Sequence, residues 1–276
     1  MDSCTFNVPA ARVEAYRGRR LVIRSREPAE LIACLSQSGT ENIAYLQLLG
    51  VDADVAELIH RGENLPVDIV MRDPETEFPF LYRFARLLEN HAVRVSVPVV
   101  AGFSKAVKLA MSLQFAVKLE MVRQPDAGLI EELAKVLDLY LHRPTVSRPV
   151  DWFHSLLLQF YWEERTTLWS VQEEDPAQFR YVTDEGEETI SPRFAGISAP
   201  RGAGSSLAEH QRSLLAENSE CAGCEFFGPC GGYFKWPQKE YSCAGVKTLF
   251  RTLKDASVEL QADVNAAIEA QGTKRP

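Results

Sequence analysis

The sequence has no apolar run approaching the roughly 18 residues that a bilayer-spanning helix needs, so no membrane partner is expected. It opens with Met1-Asp2-Ser3-Cys4, without the basic and then apolar stretch of a secretory signal. A cytoplasmic location is therefore expected, where thiols stay reduced and disulfides are uncommon. No Walker or dinucleotide glycine pattern occurs. Positive charge is in deficit, with 30 Lys and Arg against 38 Asp and Glu, a net charge of −8. A nucleic-acid backbone is thus not an expected partner. Histidine is sparse: His60, His91, His142, His154 and His210 are scattered, none at ligand spacing to a Cys, Asp or Glu. No internal repeat or long low-complexity run is present.

What remains is an ordinary globular composition, 276 residues with 46% hydrophobic and 25% charged. Short β-branched runs at 21–24, 43–48, 67–71, 93–100 and 115–122 read as strands. Segments 28–37, 53–60, 79–90, 105–113 and 127–141 between and after them carry helical period. Strand and helix alternating at this spacing predict βαβ units and an α/β fold, either an open parallel sheet or a closed or partial barrel. Further on, 152–162 reads as a helix, 179–190 as a hairpin turning at Gly186, and 196–206 as a linker or lid. Helices at 207–218 and 246–271 follow, and the tail 271–276 is expected to fray. A division into 1–160 and 161–276 is expected.

Chemistry concentrates late in the chain. Cys221-Ala-Gly-Cys224-Glu-Phe-Phe-Gly-Pro-Cys230-Gly-Gly, followed by Cys243, places four of the six cysteines within 23 residues. Four soft thiolates from one short segment suit a metal ion or an iron–sulfur cluster. Zinc is the rival, although structural zinc sites usually use two C-x2-C knuckles and only one is present. The Gly231-Gly232 pair lets backbone N–H groups approach sulfur, and Phe226, Phe227, Tyr233, Phe234 and Trp236 are expected to wrap the site or to form the small module's core. Cys34 sits in an apolar helical pattern and reads as a small buried hydrophobe.

The stretch from Cys221 through Tyr241-Ser-Cys243 to the helix bearing Lys247 resembles the C-terminal module of SPASM-type radical SAM enzymes, which modify peptides and proteins. The resemblance is specific over 221–250, weaker over the hairpin and architectural over the first 150 residues. It implies a partial or degenerate (β/α) barrel followed by a module in which Cys221, Cys224, Cys230 and Cys243 hold one [4Fe–4S] cluster. The family's other auxiliary cluster has lost its ligands here: Phe234 and Ser191 stand at two of its cysteine positions. The C-x3-C-x2-C loop that binds S-adenosylmethionine through a cluster is also missing, because the strand at 21–24 is followed by Cys34 alone. The resemblance thus implies a subunit without radical chemistry and without a S-adenosylmethionine cluster. It would bind a peptide, dock on an active modifying enzyme, or pass electrons to it.

Two rival readings stand beside this one. A zinc-stabilised interaction protein is the first. The second is an enzyme using the barrel mouth for other chemistry, with Arg24, Arg26, Asp73, Glu75, Glu120 and Arg123 at the strand ends. Such a cleft, lined by both charges, suits a peptide or a small zwitterion. The acids of 173–175 and of the hairpin (Asp184, Glu185, Glu187, Glu188) read as solvated surface.

Overall fold

The computed structural model describes residues 4–38, 40–62, 64–162, 166–194, 203–216 and 219–272. Eight strands form one sheet: β1 (Thr5–Pro9), β2 (Arg20–Ser25), β3 (Ile43–Leu49), β4 (Val67–Val70), β5 (Val93–Pro98), β6 (Ala116–Glu120), β7 (Phe179–Val182) and β8 (Glu188–Thr189). The helices are α1 (Pro28–Ser38), α2 (Pro74–Glu77), α3 (Phe103–Ser112), α4 (Ala127–His142), α5 (Asp151–Trp162), α6 (Leu168–Val171), α7 (Ala203–Ala216), α8 (Phe227–Cys230) and α9 (Ala244–Gly272). The fold is α/β, as the alternation predicts. None of the described helices is long and apolar enough to cross a membrane.

The strand order is β6-β5-β4-β3-β2-β1-β7-β8, parallel except for the β7–β8 hairpin. From β1 to β6 each strand adds beside its predecessor without reversing direction. The chain then returns to the far edge, where β7 pairs with β1. The sheet is open, with β6 and β8 as its outermost members. The hairpin turns at Gly186, φ 94°, as expected.

The strands explain this sheet through their period of two. One set of side chains, including Val8, Ile23, Leu48, Ile69, Val95 and Leu119, is fully apolar and buried in the core. On this framework α1 packs against β2, and α3 against β5 and β6. The other set is polar: Asn7, Arg24, Gln47, Asp68, Arg94, Ser96 and Lys118. Register places Arg24, Gln47, Asp68 and Arg94 side by side across four strands.

Some boundaries differ from expectation. A first strand, β1, precedes the expected one at 21–24; it is short and carries Asn7 and Pro9, both poor strand formers. Of 53–60 only Leu58–His60 is helical, as a 3₁₀ turn, and Phe78–Glu89 is also 3₁₀ rather than α. The expected linker 196–206 lies mostly outside the described residues, but its last four residues belong to α7. The expected end of the 207–218 helix, at 217 and 218, and the tail from 273 also lie outside them.

One hydrophobic core runs from Phe6 to Leu253. Trp152, Phe234, Phe226 and Phe250 interlock at ring separations of 5.4–6.4 Å, joining α5, the cysteine segment and α9. Phe250 is 1% exposed. Phe250→Ala is therefore expected to cost about 3–5 kcal/mol. Urea unfolding followed by tryptophan fluorescence checks it; a loss under about 1 kcal/mol would show that this ring does not join the elements.

Candidate functional site: a charged cleft and a four-cysteine pocket

In a parallel sheet all strand C-termini share one edge, and sites collect there. A cleft of ≈ 380 Å³ opens at that edge, lined by Gln47 and Leu49 of β3, Val70 of β4, Lys118 and Glu120 of β6, and Met121 and Val122 just after it. The far wall is Gln172, Glu173, Glu174, Tyr181 and Ser191 to Arg193.

Beneath it lies a buried ionic network. Lys118 Nζ donates to Glu173 Oε2 at 2.6 Å, and Tyr45 OH donates to the same oxygen at 2.7 Å. Arg94 reaches Asp68 at 3.1 Å, Glu173 at 3.3 Å and Asp151 at 3.4 Å. Gln47 links the row by donating to Asp68 at 3.0 Å while accepting from Asn7 at 3.0 Å. Ser96 Oγ donates to Asp68 at 2.9 Å. Burial pushes the Glu173 carboxyl up, but Lys118 and Arg94 outweigh it and hold Glu173 down at about 2. Burial raises Glu120 and Asp151.

The strand-end residues proposed from sequence divide sharply. Glu120 lines the cleft. Arg24 lies nearby, donating to the Asn7 side chain and backbone and to the Val182 carbonyl. Asp73 caps α2 instead, accepting from the Glu75 N–H at 3.0 Å and the Thr76 hydroxyl at 2.8 Å. Arg26, Glu75 and Arg123 are exposed and do not line the cleft. The residues that sequence reading missed are Gln47, Asp68, Arg94, Lys118, Glu173 and Glu174. A signal existed for four of them: each is a single polar residue flanked by apolar neighbours in a strand, as in Leu46-Gln47-Leu48 and Val67-Asp68-Ile69. Glu173 and Glu174, read as solvated, are wall residues of the cleft, placed there by the turn after α6 where Glu173 adopts φ 60°.

No histidine lines the cleft or the cysteine pocket. His91 bonds the Leu65 and Leu58 carbonyls, His154 pairs with the Tyr140 hydroxyl at 2.9 Å, and His142 sits beside Asp138.

The four cysteines do gather. Cys221, Cys224, Cys230 and Cys243 line one pocket together with Phe226, Phe227, Phe234, Val246 and Phe250. Three of the five expected aromatics thus form its wall. Tyr233 and Trp236 turn away: Arg193 lies over the Tyr233 ring at 3.9 Å, and Trp236 donates to the Arg193 carbonyl. Gly231 and Gly232 adopt φ 58° and 74°, and a Cβ on Gly232 would sit 2.4 Å from Leu214. That left-handed turn aims the successive N–H groups of Gly232, Tyr233 and Phe234 at the Cys230 sulfur. Glu220 accepts from the Cys243 N–H at 2.9 Å and pairs with Lys235 at 2.7 Å and Lys247 at 2.9 Å.

Burial pushes the Cys230 thiol up to about 11 and Cys243 to about 12, and raises Cys221. Without a cation to offset their charge these are protonated thiols. The space between them is ≈ 20 Å³, room for about one water. Among the described residues no group of three or more His, Cys, Asp or Glu is arranged to hold a metal ion. Four thiols and an N–H nest are a donor set that suits a soft metal centre.

The two features touch. Arg193 Nη1 donates to the Met121 carbonyl at the cleft and to Tyr233 OH, and Nη2 donates to the Tyr233 and Trp236 carbonyls. Gln124 bonds the Phe234 and Gln238 carbonyls, and Tyr241 OH bonds the Pro125 carbonyl. The segment after β6 therefore clamps the cysteine segment to the strand-end edge. No protein-family model matches this chain, and no curated protein matches it.

Glu173 supplies a prediction. Its carboxylate sits at about 2 in the fold and near the ordinary ~4.3 when unfolded. It contributes stability that is complete above about pH 4.5 and is lost as pH falls toward 2. Glu173→Gln, which leaves Lys118 buried without its counter-charge, is expected to cost about 3–5 kcal/mol at neutral pH. The gap to wild type should shrink across that acid window. Urea unfolding at several pH values checks both; a gap that is constant with pH would remove the assignment.

Proposed function

We propose that the four-cysteine pocket holds one [4Fe–4S] cluster. The protein is, on this reading, a non-catalytic iron–sulfur subunit of a peptide- or protein-modifying system. It binds the peptide or the active enzyme, or passes electrons between them. The observation that carries this is the gathering of Cys221, Cys224, Cys230 and Cys243 around one aromatic-walled pocket, with three N–H groups on one sulfur. Buried thiolates need an inorganic cation, and N–H donation to sulfur is a recurrent feature that tunes iron–sulfur sites.

A partial (β/α) barrel is the finer reading of the sheet. Sequential parallel strands with their ends on one side support it. A cluster ligated by four thiolates would supply electron transfer or hold the segment's shape, having no open iron for substrate. The chain's own residues do the rest: Phe226, Phe227, Phe234 and Phe250 exclude water from the pocket, and Arg193 and Tyr233 tie it to the cleft. A true enzyme is the second reading, favoured by one observation, the charged cleft at the strand ends.

Anaerobically purified protein is expected to be brown, with about four iron per chain. Cys230→Ser is expected to lose iron and destabilise residues 219–250. Elemental analysis with absorption spectroscopy checks both. Colourless protein with stoichiometric zinc would replace the cluster by a structural zinc site.

A further inference from the structure

We propose that the strand-end cleft binds a primary alkylammonium group, as at the tip of a lysine side chain, with Glu120 as its counter-ion. Three carboxylates line the cleft, Glu120, Glu173 and Glu174, and two more, Asp68 and Asp151, lie beneath it against Arg94. Among the described residues three cations share that space, Arg94, Lys118 and Arg193. Arg24 adds nothing to this balance, because its own partner Asp184 stands beside it at 3.6 Å. The cleft is therefore short of positive charge.

The shortfall has an address. Arg94 is divided among Asp68, Asp151 and Glu173, and Lys118 is held by Glu173. Arg193, with a side chain 7% exposed, gives its terminal donors to three backbone carbonyls and the Tyr233 hydroxyl. Its Nε stands 3.7 Å from Glu174 Oε2, too far to bond, and both atoms are buried without a hydrogen-bond partner. Glu120 projects from the end of β6 into the cleft; its backbone carbonyl accepts from the Val99 and Val122 N–H groups, but its carboxylate accepts no hydrogen bond among the described residues. Glu120 is half-buried, so its carboxylate has lost part of its hydration without gaining a protein donor, and an incoming cation with N–H donors offsets that loss.

Size and shape narrow the ligand. A cleft of ≈ 380 Å³ holds one amino-acid-sized group, not a nucleotide with its phosphates. Leu49, Val70, Met121 and Val122 supply an apolar wall for a methylene stem. Phosphate and carboxylate ligands meet the wrong sign of charge. The proposal deepens the cleft reading and does not depend on the cysteines, so iron content and amine binding fail or succeed separately.

The test is titration of the full-length protein with Nα-acetyl-lysine N-methylamide and with n-butylammonium chloride, by calorimetry. The norleucine analogue and sodium acetate are the controls. Saturable binding of both amines, with neither control binding, is expected. Glu120→Gln should weaken it by about tenfold or more, with an unchanged circular dichroism spectrum. Should that variant not fold, Val122→Lys decides. Val122 lines the cleft at 58% exposure, so a tethered ammonium there should compete with the probe without disturbing the core. No saturable amine binding, equal binding of the norleucine analogue, or full affinity in the deciding variant overturns the proposal.

Discussion

The contact on which the molecule's organisation depends is the ion pair between Lys118 and Glu173, 2.6 Å apart and buried. Lys118 sits in a strand between Val117 and Leu119, where an unpaired ammonium is untenable. Its partner lies 55 residues further along the chain, on the turn after α6. Pairing them draws the second half of the chain across the polar face of the sheet. Tyr45 and Tyr181 then close on Glu173 from two other strands, the first on its carboxylate and the second on its backbone carbonyl. Once Glu173 is fixed, Glu174 follows into the cleft wall, and Arg193 meets it from across the hairpin. Arg193 in turn grips the backbone on which the cysteines are carried. The cysteine pocket is thus positioned by a chain of polar contacts that starts at one lysine.

The two sites solve opposite electrostatic problems. In the cleft, carboxylates outnumber cations, and Glu174 Oε2 and Arg193 Nε stay buried without a hydrogen-bond partner. In the pocket, four thiols are walled by Phe226, Phe227, Phe234 and Phe250, and burial favours the neutral form of Cys221, Cys230 and Cys243. Tyr233 stands between them. Its backbone N–H faces the Cys230 sulfur while its hydroxyl accepts from Arg193. Any movement of Arg193 would therefore be felt at both places.

Much of the sheet was legible because the face that packs into the core is mostly Val, Ile and Leu at a period of two, a signal that survives without context. β1 was not, since Asn7 and Pro9 erase that signal in a five-residue strand. Clustered cysteines were legible because their spacing is local. The charged cleft was not, although Gln47, Asp68, Arg94 and Lys118 each interrupt an apolar strand. Attention to loop charges pointed instead at Asp73, which caps α2, and Glu75, which is exposed in its first turn. Glu173 and Glu174 look like solvated acids in sequence, and only tertiary pairing, Glu173 with Lys118 and Tyr45 and Glu174 with Arg193, gives them a role.

Strand order explains why both features share one edge. A doubly wound sheet reverses its order and opens a crevice at the switch point. No reversal occurs between β1 and β6, so no such crevice exists in that span. Function then has only the common rim of strand C-termini to occupy, and Leu49, Val70 and Glu120 at the ends of β3, β4 and β6 form it. The chain leaves β6 at that rim, and its next residues, Gln124 and Pro125, are the ones that hold the cysteine segment. Parallel topology thereby forces the cleft and the thiols into contact. A protein that needed them apart would have had to anchor its cysteines at the opposite edge, where the strands begin.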